Sequence, residues 1–152
     1  MSVEYTDARA EMFQLVQTRM LAACVPTIVG SLAFRFQGIP NKDPIPADAF
    51  TVRTTIKTES GNLSAHVTED DGVSKKQFSS FGLIFISIFA PLTQNDYIKG
   101  GKLAAAAKKL LEGSETSSSV WFRNVRINEL PEEDANYSWN VVGEFTYDTI
   151  NG

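Results

Sequence analysis

A chain of 152 residues is the length of one domain, and folding such a chain buries roughly 70% of the surface exposed when it is unfolded. A chain of this size can fold without staples. Its single cysteine, Cys24, excludes an internal disulfide, and its net charge of -4 excludes the overall basicity of a dedicated nucleic-acid binder. The charge is uneven: residues 1–109 carry 12 basic and 10 acidic side chains, residues 110–152 carry 2 and 8.

Residues from about Glu4 to Cys24 predict an amphipathic helix. Tyr5, Ala8, Met12, Val16, Met20 and Ala23 recur at spacings of three and four, Phe13 and Leu21 widen the stripe, and Pro26 stops the helix. Cys24 falls on this stripe, the usual place of a buried structural thiol. Residues 26–49 hold four of the six prolines and read as loop, with a short strand possible at Leu32–Gln37. The stretch "FTVRTTIKT", Phe50 to Thr58, alternates as a half-buried strand: Phe50, Val52 and Ile56 share one side, Arg53 and Lys57 the other.

Between Gly82 and Pro91 stand seven apolar residues and one serine. Both parities are apolar, which predicts a central strand covered on both faces. The segment is far short of the ~18–20 residues that span a bilayer, so no membrane role is expected. The opening "MSVEYTDARAEM" lacks the basic and apolar regions of an export signal, and the expected setting is a reducing cytoplasm. A helix follows, from about Ile98 to Glu112, with Asn95 or Asp96 as its cap. Leu103, Ala106, Ala107, Leu110 and Leu111 form its apolar side, and Gly113 closes it. Small alanine side chains allow close approach to a sheet. Residues 120–128 and 137–147 then read as two strands joined by "ELPEEDAN", whose acids Glu129, Glu132, Glu133 and Asp134 form a candidate acidic surface.

These elements predict an α+β fold in the order α-β-β-α-β-β: a single sheet of about four strands, two hairpins joined by a helical crossover, packed against two helices. A hairpin arm is expected at about 59–81. Asp71-Gly72 is a strong two-residue turn signal. Centring a turn there pairs Asp70 with Val73 and sets Gly61 opposite Gly82, where the apolar parity changes on both strands. A bend or bulge is expected at that level, with Gly61 and Gly82 as candidate hinge. The arm's Glu69, Asp70, Asp71, Lys75 and Lys76 are the candidate contacts to a neighbouring subunit or other partner.

Catalytic and cofactor signals are sparse. One histidine, His66, and one cysteine cannot supply the common zinc sets within one chain. "KGGKL", residues 99–103, lacks the first glycine of a phosphate loop and has Leu103 where Ser or Thr belongs. "EDDG", residues 69–72, lacks calcium-loop spacing, and "NLS" and "NYS" signify glycosylation only in a secreted chain. The C-terminal aromatics Trp121, Phe122, Tyr137, Trp139 and Tyr147 allow a base-stacking platform, but core packing is the expected role for most. No enzyme activity and no cofactor are expected.

The order and character of these pieces resemble the tail terminator (tail completion) proteins of long-tailed bacteriophages, the lambda-like minor tail group. The resemblance rests on the leading helix, "GIPNKDPIPADAF", "FTVRTTIKTES", "FGLIFISIFAP", "GGKLAAAAKKLLEG" and "VWFRNVRINELPEEDANYSWNVVGEFTY". It covers most of the chain and consists of patterns of type and spacing. It implies a non-enzymatic virion protein that forms a homo-hexameric ring at the head-proximal end of the tail. Such a ring contacts the tail tube protein and the head connector or stopper protein, and genome DNA passes through it without specific binding. The long segment 59–81 departs from what the resemblance describes. The alternatives that the residues leave open are another head-tail neck protein and a small RNA-binding or regulatory α+β module.

Overall fold

In the computed structural model two helices lie on one face of a single sheet. The structure describes residues 5–36, 48–58, 62–68, 74–112, 120–133 and 136–151. The elements are α1 (Tyr5–Cys24), β1 (Ala33–Phe36), β2 (Thr51–Thr58), β3 (Asn62–Thr68), β4 (Ser74–Pro91), α2 (Gln94–Glu112), β5 (Trp121–Glu133) and β6 (Asn136–Asn151). The sheet order is β1-β2-β4-β6-β5, with β3 also paired to β4. The α+β class is as expected. The strand count is six among the described residues rather than about four, because β1 joins the sheet and β3 is a strand separate from β2. β1 runs parallel to β2, Ala33 opposite Thr51. A parallel neighbour leaves no hairpin signature in the sequence.

α1 buries Ala8, Met12, Val16, Met20 and Cys24. The buried stripe is narrower than expected, since Leu21 and Ala23 are exposed. α2 begins four residues before the expected start. Its cap is Thr93, not Asn95 or Asp96: the Asp96 N–H donates to Thr93 Oγ1 at 3.1 Å, the bond an N-cap hydroxyl makes to the first turn. Gly100 explains how closely α2 lies on the sheet. A Cβ there would fall 2.3 Å from Cζ3 of Trp139, so the glycine leaves room for the indole. The two glycines of "KGGKL" thus sit inside a helix.

β4 is the middle strand, as expected, but its two faces are not equally covered. Ile84, Ile86, Ile88 and Ala90 are buried beneath the helices, and each isoleucine contributes about 1.5–3 kcal/mol by leaving water. Leu83, Phe85, Ser87 and Phe89 on the other face are only partly buried. The expectation of cover on both faces is corrected for a topological reason: both helices pack on the same side. Apolar residues on both parities here mean one core face and one apolar face without a helix.

The arm also differs. Thr68 pairs with Ser74 and Leu63 with Phe78, one and two residues away from the register that a turn centred on Asp71-Gly72 gives; the turn itself lies outside the described residues. Gly82 stands opposite Thr58, not Gly61. The expected parity change occurs on one strand only. β3 is offset by one residue relative to β2, with a further irregularity between Leu63 and Ala65. β4 instead runs unbroken beside β6 from Lys76–Asn151 to Pro91–Asn136. The even residues of β4 are the core ones, and Phe78 shares their parity. At Gly82 an added Cβ would lie 2.1 Å from the Lys57 carbonyl oxygen. Close backbone approach accounts for that glycine.

Candidate interaction surface

The helix-free face of the sheet can be built row by row from the strand register. Across β4, β6 and β5 the top row is Phe81, Thr146 and Trp121. The next runs Lys57, Leu83, Glu144 and Arg123, followed by Thr55, Phe85, Val142 and Arg126. Below them lie Arg35, Arg53, Ser87, Asn140 and Asn128, then Ala33, Thr51, Phe89, Ser138 and Leu130. The centre is apolar: Leu83, Phe85, Phe89 and Val142. Phe81 and Trp121 are 37% exposed and Leu130 44%.

The edges are basic. Arg35, Arg53 and Lys57 line one side and Arg123 and Arg126 the other, while Glu144 is the single acid in these rows among the described residues. Four of the six arginines of an acidic chain therefore share one face. Arg123 and Arg126 would point to opposite faces of a regular strand. A bulge brings them together: three steps on β5 match two on β6 between Arg123–Glu144 and Arg126–Val142. Asn124 occupies the bulge at φ 51°, a conformation that asparagine tolerates better than most residues. Its side-chain amide donates to Glu144, and Arg123 Nε lies 3.9 Å from the same carboxylate.

The polar groups of this face are already ordered. The Arg53 guanidinium lies over the Phe89 ring, 5.1 Å from its centroid, at a distance typical of a cation–π contact. Ser87 Oγ donates to Asn140 Oδ1 at 3.2 Å. Arg126 Nη1 reaches the Asn124 carbonyl at 3.5 Å. An apolar centre bordered by arginine and tryptophan is the composition of protein–protein contact surfaces.

The residues singled out from the sequence are not brought together here. Gly61, Glu69, Asp70, Asp71 and Asp134 lie outside the described residues. Lys75 and Lys76 are at the start of β4, opposite Val67 and His66. Glu132 and Glu133 end β5. Glu129 turns to the helix side, where it accepts the Tyr97 hydroxyl. That hydrogen bond, then desolvation and the nearby negative charge, raise the Tyr97 pKa above the usual value. Desolvation by burial likewise raises the Cys24 thiol. Of the C-terminal aromatics, Phe122, Trp139 and Tyr147 are buried, as expected for core packing. Trp121 is the exception. The basic face was not anticipated, though a signal existed: the apolar residues of this stretch are even at Val120 and Phe122, then odd at Val125 and Ile127.

Among the described residues no group of three or more His, Cys, Asp or Glu side chains is placed to hold a metal. None of the described helices is long and apolar enough to cross a membrane.

No known family profile matches the chain, and no curated protein does. Solved structures do. One is 15% identical with a TM-score of 0.61, over 91% of this chain and 92% of its own. A second comes from the virion of a native gene transfer agent particle; it is 14% identical with a TM-score of 0.46, over 95% of this chain and 94% of its own. The first likeness extends the α+β architecture to a protein of unrelated sequence.

Proposed function

We propose that the chain is a structural protein of a phage-type virion, and that within it the chain acts as a tail terminator. In this reading copies assemble into a six-membered ring at the head-proximal end of the tail tube. The ring ends tube polymerisation, offers the head connector a surface, and lets genome DNA pass; the protein works by contact and catalyses nothing. The observation that carries the reading is the helix-free face, an apolar centre with an arginine border across five strands. It gives a small domain a broad surface for protein partners. The sequence resemblance supplies the particular role.

The test is negative-stain microscopy and solution mass of the purified protein, alone and with isolated phage tail tubes. Six-fold rings seated on one end of the tubes are expected, with no further tube growth from the capped end. A strict monomer, or a two-fold dimer on assembled tails, would sink the proposal.

A further inference from the structure

We infer that the helix-free face receives the acidic end of the β5–β6 hairpin from the next copy of this chain. The inference rests on the ring reading above and names the surfaces through which the ring closes.

The first argument is charge. Arg53, Arg123 and Arg126 are exposed on this face, with Arg35 and Lys57 in the same rows. Glu132 and Glu133 end β5, and the sequence continues with Asp134. One surface of the chain is thus basic, and the end of β5 carries two adjacent acids. Arginine forks suit carboxylates well. The two patches belong to different parts of one subunit, so matching them joins copies head to tail. Such contacts close into a ring where the rotation permits.

The second argument is size. The face spans five strands spaced at about 4.8 Å and roughly 27 Å of β4, on the order of 600 Å². That approaches the ~800 Å² per partner of a standard interface. The third argument concerns the rival occupant, a single-stranded nucleic acid. Base stacking needs open ring faces, yet Arg53 already covers Phe89. The face is closer to an arginine-bordered protein surface than to a stacking platform.

The experiment is a charge exchange. One variant carries Arg53→Glu and Arg126→Glu; the other carries Glu132→Arg and Glu133→Arg. Molar mass is measured for the full-length protein at salt low enough for the Debye length to exceed about 10 Å. Wild type should assemble, and each variant alone should fall to the monomer mass. An equal mixture should recover the wild-type mass, because each variant's face then meets the other's hairpin end. Circular dichroism checks that both variants fold. Should a reversal unfold the chain, Phe81→Ser with Trp121→Ser tests the same face without charge, and assembly should weaken at least tenfold.

Assembly that is unchanged in the variants overturns the inference, and so does a wild type that is monomeric throughout. If the face variant loses retention of a single-stranded oligonucleotide while self-association persists, the face belongs to nucleic acid and the inference is wrong. Rings that cap tail tubes but ignore these charges would remove this inference and leave the tail reading standing. Rings that need these charges but ignore tail tubes would do the reverse.

Discussion

Arg123 and Arg126 lie on the same face of the sheet although they stand three positions apart in one strand. The Asn124 bulge between them makes this so. An ordinary strand would send one arginine to the helices, where an unpaired charge is costly. The bulge places Val125 against the core and both guanidiniums outside.

Asn124 is therefore a point where backbone conformation determines surface charge. Asn124→Gly keeps access to positive φ and loses only the bond to Glu144. Asn124→Val forces a β-branched residue into that conformation, at a cost of about 1–3 kcal/mol. Urea unfolding should rank wild type and Asn124→Gly close together, with Asn124→Val clearly below both. Equal stability of the two variants would contradict the role given to φ.

Gly100 and Gly101 should respond in opposite directions. Both sit within α2, where glycine costs about 0.8–1 kcal/mol relative to alanine. An added Cβ at Gly101 meets nothing within 4 Å, so Gly101→Ala should stabilise by close to that amount. At Gly100 the Cβ strikes the Trp139 ring, and overpacking of about 1–3 kcal/mol should outweigh the helix gain. Thermal unfolding midpoints that move in the same direction would refute the packing account.

Thr54 is fully buried on the core face, and its Oγ1 has no hydrogen-bond partner among the described residues. Burying a hydroxyl without a partner costs about 1–3 kcal/mol. Thr54→Val keeps the shape and removes the polar group, so denaturation should shift to higher urea by up to that amount. A loss of stability would mean that the hydroxyl is satisfied in solution.

Cys24 is buried with its thiol pKa raised. The folded state favours the neutral thiol, and the thiolate is the reactive form. Its contribution to stability is complete below the ordinary thiol pKa and is lost as pH rises through the raised value. Alkylation in native buffer should be slow at pH 8 and become fast once denaturant opens the fold. Rapid labelling of the native protein would show that α1 is not seated as described.

The same sign applies to Tyr97, whose bond to Glu129 favours the neutral phenol. That bond is fully present below the ordinary tyrosine value of about 10 and is lost as pH rises through the raised one. A phenolate absorbance titration should contain a late-titrating tyrosine that Tyr97→Phe removes. If the variant's titration matches wild type, the bond does not hold in water.

The core was largely legible in the sequence. Helical spacing marked Ala8, Met12, Val16 and Met20, and alternation marked Val52, Ile56, Trp139 and Val141. Legibility failed where the meaning of a pattern depends on what lies opposite. Leu83, Phe85 and Phe89 are as apolar as their buried neighbours, and nothing local reports that both helices chose the other side. Strand β1 falls within the short strand expected at Leu32–Gln37, but its parallel pairing with β2 across a wide gap in the chain was not legible. The basic face was hidden because its arginines come from three strands and because the bulge undoes the parity by which faces are assigned. Thr93 went unrecognised as the cap because Asn95 and Asp96, also good cap residues, follow it closely.

The unbroken β4–β6 pairing also governs how the subunit would bear tension. Hydrogen bonds of an antiparallel pair run across the strands. Opposed pulls along β4 and β6 therefore load the whole row from Lys76–Asn151 to Pro91–Asn136 at once. The bonds must shear together and cannot be unzipped one at a time. β3 stops at Thr68 and β1 spans four residues, so these strands share less load with their neighbours. Under tension along the strands the sheet should yield first at these two, while the central pair holds as a mechanical clamp.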